Sequence, residues 1–340
     1  MNKLFITLLL GLSLISSSSW SADFGKGIAA YNSGDFATAL REWTPLAEQG
    51  NANAQYNLGF MYDNGEGVLQ DYKTAAKWYR LAAEQGDAGA QYNLGIMYYM
   101  GDGVPQDYKT SAKWYTLAAE KGHADAQYNL ALMYYNGMGV LQDYKTAAKW
   151  YRLAAEQGNA NAQYSLGLMY SNGMGVPQDY KTAVKWYRLA AEQGYANAQT
   201  NLALMYGLGQ GVPQDYKTAV KWFRLAAEQG EANAQYNLGS LYRTGDGVPQ
   251  DYKVAVKWFR LAAEQGYAEA QSNLGVMYAA GDGVIVDKVY AHMWGNIGSS
   301  NGNENGGKLR DFLAKEMTPS QLEKAQDLAR ECVAKNYKGC

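Results

Sequence analysis

The sequence predicts an all-α solenoid, a stack of about eight helical hairpins with a C-terminal helical cap. One unit recurs every 36 residues, each unit contains two segments with helical periodicity, and both ends depart from the repeat, as the caps of a solenoid do. The 29 Tyr and 9 Trp among 340 residues are typical of a chain that uses the same aromatic positions many times.

Charge and cysteine content exclude several classes of protein. The 30 Lys and Arg nearly balance the 32 Asp and Glu, which gives a formal charge of −2. A nucleic-acid-binding face needs a basic excess, so we expect no nucleic-acid partner. Two Cys are too few for a disulfide-dense scaffold and lack the spacing of zinc ligands. We therefore expect no metal and no cofactor.

Residues 1–21 predict a secretory signal peptide. Lys3 precedes an apolar run from Leu4 to Ile15, and small residues at Ser19 and Ser21 favour cleavage after Ser21. The alternative is a membrane anchor, but this run would span only about 18 Å as a helix, against roughly 30 Å of hydrocarbon. We expect a periplasmic or secreted bacterial protein without an integral membrane segment.

The mature chain begins with a degenerate hairpin over residues 22–50, and repeats occupy residues 51–298. The repeats share an Ala-Gln pair, a tryptophan and two turn glycines at fixed spacing. The Ala-Gln pairs begin at Ala54, Ala90, Ala126, Ala162, Ala198, Ala234 and Ala270. The tryptophans are Trp78, Trp114, Trp150, Trp186, Trp222, Trp258 and Trp294.

The first half of each copy predicts an amphipathic helix. In residues 52–87, Ala54, Leu58, Met61 and Tyr62 recur at i, i+4, i+7 and i+8. Gly65 then ends the helix, because glycine readily adopts left-handed backbone angles.

The second half predicts another helix, with Asp71 as its N-cap and Gly86 just after its end. Its predicted buried face comprises Tyr72, Ala75, Tyr79, Ala82 and Ala83. Short connections pair the two helices as an antiparallel hairpin. No hairpin closes a core alone, so stability is shared along the stack.

The motif that carries a family resemblance runs through residues 54–86. It contains Ala54-Gln55-Tyr56-Asn57-Leu58-Gly59, the Gly65/Gly67 turn, Asp71-Tyr72, and Ala82-Ala83-Glu84-Gln85-Gly86. From residue 52 to about 298 the chain resembles the Sel-one-like repeat family, which is related to tetratricopeptide repeats. The resemblance implies a right-handed α/α superhelix that serves as a protein-interaction scaffold, in exported members often an adaptor, a regulator or a factor that meets host proteins. We expect a monomer with a protein or peptide partner.

The copies differ from one another mainly on one sector of the first helix, at positions equivalent to 53, 56, 60, 63 and 64. In tetratricopeptide-like stacks this sector lines the concave groove. The predicted partner-binding residues are Tyr56, Phe60, Asp63, Tyr92, Ile96, Tyr99, Tyr128, Leu132, Tyr135, Tyr164, Leu168, Tyr236 and Arg243. The alternative is that the residues equivalent to Phe60 only complete contacts between adjacent first helices.

Lys73, Lys77, Arg80 and Glu84 share one sector of the second helix and recur as a charged ridge. A solvated outer face with some i,i+4 pairing explains them, and contact with an anionic surface is the alternative.

Signals for catalysis are weak. His123 and His292 are single histidines in different copies, and the Gly-x-Gly turns lack the preceding strand and the following Lys-Ser/Thr of a phosphate loop. We expect no enzyme. The alternative function is a hydrolase acting on cell-wall or β-lactam substrates.

Residues 299–340 predict the cap, after a Gly/Asn-rich stretch over 298–307. Thr318 begins a helix with Pro319 in its first turn and Gln321 completing a capping box. Export favours a disulfide between Cys332 and Cys340, and the alternative is a buried Cys332 with a free thiol at Cys340.

Overall fold

The computed structural model describes residues 22–340, so the predicted signal peptide lies outside the described residues. The described part of the chain contains eighteen α-helices and no strand, which confirms the all-α prediction. It forms two compact units that divide between Ala118 and Ala119. None of the helices in residues 22–340 combines the length and the apolarity that a membrane crossing requires.

Consecutive helices pair as hairpins within each unit. The first unit contains α1 (Phe24–Asn32), α2 (Phe36–Glu48), α3 (Ala52–Asn64), α4 (Tyr72–Glu84), α5 (Ala88–Met100) and most of α6 (Tyr108–Glu120). The repeats of the second unit contain α7 (Ala124–Asn136), α8 (Tyr144–Glu156), α9 (Ala160–Asn172), α10 (Tyr180–Glu192), α11 (Ala196–Leu208), α12 (Tyr216–Glu228), α13 (Ala232–Thr244), α14 (Tyr252–Ala263), α15 (Ala268–Ala280) and α16 (Lys288–Ser300). Its cap contains α17 (Glu304–Ala314) and α18 (Pro319–Ala334).

The helix boundaries form as their cap residues predict. The Asp71 carboxylate accepts hydrogen bonds from the backbone N–H groups of Lys73 and Thr74, at 3.0 and 3.2 Å. Gly65 ends α3 in the left-handed conformation, with φ of 72°. At α18 the capping box of Thr318 and Gln321 is complete. Each cap satisfies backbone groups that a helix end leaves without an intrahelical partner.

The second glycine of each turn has a packing role. Gly175 has a φ of 68°, and a Cβ on it would lie 2.2 Å from the backbone oxygen of Tyr144, at the start of the preceding repeat's second helix. Gly211, Gly247 and Gly283 stand in the same relation to the first residue of the second helix before them. The Gly-x-Gly turn therefore lets one repeat approach the backbone of its neighbour.

Alanine, leucine and one large aromatic from each second helix fill the core. Tyr79 is fully buried, and a Cβ on Gly59 would lie only 2.6 Å from its ring. Ala75, Ala82 and Ala83 are buried as predicted. Tyr72, which the pattern assigns to the buried face, is 38% exposed because it is the first residue of α4 and lies at the edge of the hairpin.

A buried glutamine joins three helices in each full repeat of the second unit. The amide of Gln163, at the start of α9, donates to the carbonyl of Ala155 in the last turn of α8, at 3.1 Å. Its Oε1 accepts from Gln193, just after α10, at 2.8 Å. Gln127, Gln199 and Gln235 form the same arrangement, and Gln271 does so with Asn301 in place of the second glutamine. We call this set the glutamine clamps.

Arginine–tyrosine hydrogen bonds also join adjacent repeats. In the first unit, Arg80 of α4 donates to the Tyr98 hydroxyl of α5, at 2.7 Å. Arg188 and Tyr206 repeat this contact in the second unit, at 2.6 Å. The charged ridge is exposed as expected, but its arginine reaches across to the next repeat.

The cap packs on the last repeat. The Gly/Asn-rich stretch is not only a connection, since α17 begins at Glu304 within it. A Cβ on Gly306 would lie 2.6 Å from the carbonyl oxygen of Gly295, so glycines allow α16 and α17 to pack closely. Cys332 and Cys340 form a disulfide with a Cα–Cα distance of 5.7 Å.

We expect Gly175→Ala to destabilise α8 to α10 more than Gly158→Ala. Both glycines have positive φ, but only Gly175 faces neighbouring backbone, whereas nothing lies within 4 Å of a Cβ on Gly158. Gly158→Ala should cost about 1–2 kcal/mol for the left-handed backbone, and Gly175→Ala should cost about 1–3 kcal/mol more for the steric clash. Amide hydrogen exchange of α8 to α10 measures the difference. Equal costs would show that the close approach has no energetic role.

We expect Gln163→Ala to destabilise the second unit by about 0.5–1.5 kcal/mol, because the Ala155 carbonyl loses a buried side-chain donor and keeps only the backbone N–H of Gly158. Gln193→Ala is the matched control. Gln193 is exposed, so water can replace part of what it contributes, and we expect a smaller loss. Hydrogen exchange at the α8–α9 junction measures both effects, and a control loss equal to that of Gln163→Ala would contradict the clamp.

Candidate partner-binding face

The predicted binding residues are neither sealed in the core nor freely exposed. Phe60 is 36% exposed, and the other twelve are half-buried. All thirteen lie on first helices, namely α3 and α5 in the first unit and α7, α9 and α13 in the second. We call the part of this set within each unit the first-helix face of that unit.

The tyrosines equivalent to Tyr56 cover the buried aromatic of their own hairpin. Ring centroids are 5.9 Å apart for Tyr56 and Tyr79, and 5.8 Å apart for Tyr236 and Phe259. Tyr92, Tyr128 and Tyr164 make the same contact with Tyr115, Tyr151 and Tyr187. Burial raises the pKa of Tyr187 to about 12, so these inner hydroxyls stay protonated. The face thus has a rigid, neutral aromatic layer beneath its outer residues.

The positions equivalent to Asp63 carry the most varied chemistry. The Asp63 carboxylate accepts from the Tyr79 hydroxyl at 3.3 Å, and burial raises its pKa. Tyr99 and Tyr135 pack against the first tyrosine of their own second helices, Tyr108 and Tyr144. In α13 the position is Arg243, whose Nε is buried without a hydrogen-bond partner.

The aliphatic positions differ in how far they take part in packing. Phe60 lines a cavity of about 300 Å³ with Tyr56 and with Ile28 and Tyr31 of α1. Ile96 and Leu132 are half-buried. Leu168 packs against the core of α10 and α11, which favours the alternative at that position: it completes contacts between repeats.

Side chains on the first-helix face also touch the next repeat of the same unit. The ring centroids of Tyr164 and Tyr195 are 5.1 Å apart, and those of Tyr236 and Tyr267 are 5.2 Å apart. Asn159 donates to the Asp125 carboxylate at 2.9 Å. Within the second unit, therefore, the face continues from one repeat to the next.

The structure adds a cavity that the sequence pattern did not identify. About 170 Å³ in volume, it lies between α11, α12 and α13 over Phe223, with Leu204, Gly207 and Leu208 on its rim. Every other copy carries a side chain at the position of Gly207, the smallest being the methyl group of Ala279. The sequence shows this feature only as a glycine at position 207, and the absence of a side chain is harder to interpret than a motif.

Neither histidine is among the residues of the first-helix face. His123 is the N-cap of α7, where its Nδ1 accepts from the backbone N–H of Ala126 at 3.3 Å. His292 is buried in α16. Within residues 22–340, no group of three or more His, Cys, Asp or Glu side chains is arranged to hold a metal ion.

The Sel1 repeat family model matches seven consecutive 36-residue segments. They are residues 52–87, 88–123, 124–159, 160–195, 196–231, 232–267 and 268–303. These boundaries begin one residue after the predicted start of the repeats and include the whole of α16.

Solved structures show the same similarity. A Sel1 repeat protein from Oxalobacter formigenes is 39% identical, with 86% of this chain and 88% of the other covered and a TM-score of 0.66. A protective antigen of uropathogenic Escherichia coli with an SLR fold is 32% identical, with 92% and 86% covered and a TM-score of 0.45. No curated protein matches the sequence.

Proposed function

We propose that this chain, which belongs to the Sel1 repeat family, binds an extended segment of a protein or peptide on its first-helix face. The repeats of this family form non-catalytic scaffolds that typically mediate protein–protein interaction. This chain acts as a monomeric adaptor or regulator. No observation on residues 22–340 favours the hydrolase alternative.

The observation that carries this proposal is the half-buried state of the varied residues. A side chain that is fully buried is committed to the core, and one that is fully exposed is mobile. Tyr99 and Tyr135 are held by ring contacts, yet part of each stays accessible. Tyrosine and arginine in this state are typical of the residues that dominate binding energy in protein interfaces.

The mechanism is preorganisation. The glutamine clamps and the Arg–Tyr contacts fix each first helix before a partner arrives, so the receptor loses little conformational entropy on binding. Specificity then comes from the order of side chains along the face. In the second unit this order includes the aromatic Tyr135, the small Ser171, the cavity beside Gly207 and the cation Arg243.

We also propose that the protein is exported to the periplasm or beyond. The support is the n-region, apolar run and small residues of residues 1–21. A second support is the disulfide between Cys332 and Cys340, since structural disulfides persist in oxidising compartments.

The binding proposal is tested by replacing Tyr99, Tyr135 and Arg243 together with alanine. The purified variant, immobilised and exposed to a periplasmic extract, should no longer capture the partner that the wild-type chain captures. Its far-UV circular dichroism should stay unchanged, because the three side chains are half-buried and none belongs to the fully buried core. The matched control replaces Lys77, Lys149 and Lys221, exposed on the second helices, and should keep the partner. Retention by the first variant, or equal loss by both, would contradict a first-helix binding face.

The export proposal predicts that a bacterium expressing the full chain yields a periplasmic or extracellular protein whose first residue is Ala22. Fractionation followed by N-terminal sequencing measures this. Lys3→Glu reverses the charge of the n-region and should leave more uncleaved precursor. An uncleaved wild-type chain in the cytoplasm would refute the proposal.

A further inference from the structure

A cavity of about 800 Å³ lies between α16, α17 and α18, at the junction of the last repeat and the cap. Its residues are not part of the first-helix face, so it is independent of the proposed partner site. Small-molecule sites in proteins typically have volumes of about 300–1,000 Å³. The cavity is therefore large enough for a metabolite-sized ligand.

The buried wall of the cavity carries a histidine where the other copies are apolar. His292 is 3% exposed and lines the cavity, and its Nδ1 is buried without a hydrogen-bond partner. The equivalent residues of the six preceding copies are Ala76, Ala112, Ala148, Val184, Val220 and Val256. Burying an unpaired polar group costs free energy, so the stack alone gives no reason for a histidine here.

Two arginines, each paired with an aspartate, line the polar side of the cavity. Arg310 of α17 bonds the neighbouring Asp311 at 2.8 Å through Nε and through Nη2, and its Nη1 lies 3.5 Å from Oδ1 of Asn296. Arg330 of α18 pairs with Asp327 and is 70% exposed, which places it on the solvent side. The lining contains two guanidinium groups and one carboxylate, that of Asp311.

Burial lowers the pKa of His292, Arg310 lowers it further, and Asp311 opposes them with the smallest effect. His292 is therefore neutral near pH 7. A neutral imidazole offers one donor and one acceptor.

Another part of the lining is aliphatic. Leu322, Ala329 and Val333 lie along one stripe of α18, and Ile297 of α16 completes the surface. A ligand for this cavity needs an apolar part for this wall and an anionic part for the arginine side.

We propose that the cavity is a binding site for a small aliphatic monocarboxylic acid, with the carboxylate at Arg310 and His292 and the chain against Leu322 and Val333. The carboxylate adds the charge-assisted hydrogen bonds that the guanidinium can still donate. His292 gains the polar partner that it lacks.

Hexanoate is a suitable probe, and the imidazole signals of the protein report its binding. With only two histidines in the chain, carbon-13 labelling gives one signal for His292 and one for His123. Titration with hexanoate should shift the His292 signal saturably and leave the His123 signal unchanged. His123 caps α7, which is far from the cavity residues in sequence. Hexan-1-ol, which has the chain without the charge, should bind at least about tenfold more weakly.

Two variants distinguish a binding role from a structural one. Arg310→Gln should weaken hexanoate at least about tenfold by calorimetry, whereas Lys308→Gln on the same helix, outside the cavity lining, should not. His292→Val introduces the residue of the three copies immediately before it. It should raise the melting temperature of the free protein and abolish the stabilisation by hexanoate.

An unchanged His292 signal at saturating hexanoate, equal binding of hexan-1-ol, or an equal effect of both charge variants would overturn the proposal. None of these results depends on the first-helix face, so the site and the partner-binding function stand or fall separately.

Discussion

The buried amide of the first-turn glutamine is the interaction on which the stack depends. Packing one hairpin on the next buries the end of a second helix, whose last carbonyls have no intrahelical donor. Beside the backbone N–H of Gly158, Gln163 of α9 supplies a buried side-chain donor to Ala155 at the end of α8 and accepts from Gln193 just after α10, so one side chain links three helices. A glutamate carboxylate at this position could not donate a hydrogen bond, and an aliphatic side chain could neither donate nor accept one. This requirement explains why Ala-Gln is among the least varied features of the copies.

Most of the fold followed from sequence because its signals are local. The period, the Asp71 cap and the Thr318 capping box each depend on residues a few positions apart. Contacts between repeats were harder to predict. The role of Gln163 as a buried clamp, the close approach at Gly175 and the exposure of Tyr72 depend on how one hairpin lies on another. Periodicity identifies a face but not what covers it.

The candidate site was predictable only in part, for a related reason. Positions that all copies share are used for stacking, so chemistry specific to this chain lies where a copy departs from the others. Tyr135 and Arg243 are additions, and an added side chain is visible in a sequence. Gly207 instead lacks a side chain, which leaves a cavity over Phe223. This cavity forms only when the neighbouring helices are in place. His292 was visible as a lone histidine, but the three-helix wall around it was not.

The position of His292 in the last repeat has a physical advantage. In a stack of repeats, stability is approximately a sum of contributions from each hairpin and each interface. An unpaired polar atom in a middle repeat would weaken interfaces on both sides, whereas at the end it weakens the junction with the cap alone. The disulfide between Cys332 and Cys340 fixes the chain just after α18, which packs on α16. The cap can therefore hold a polar cavity without transmitting its cost to the repeats that form the first-helix face.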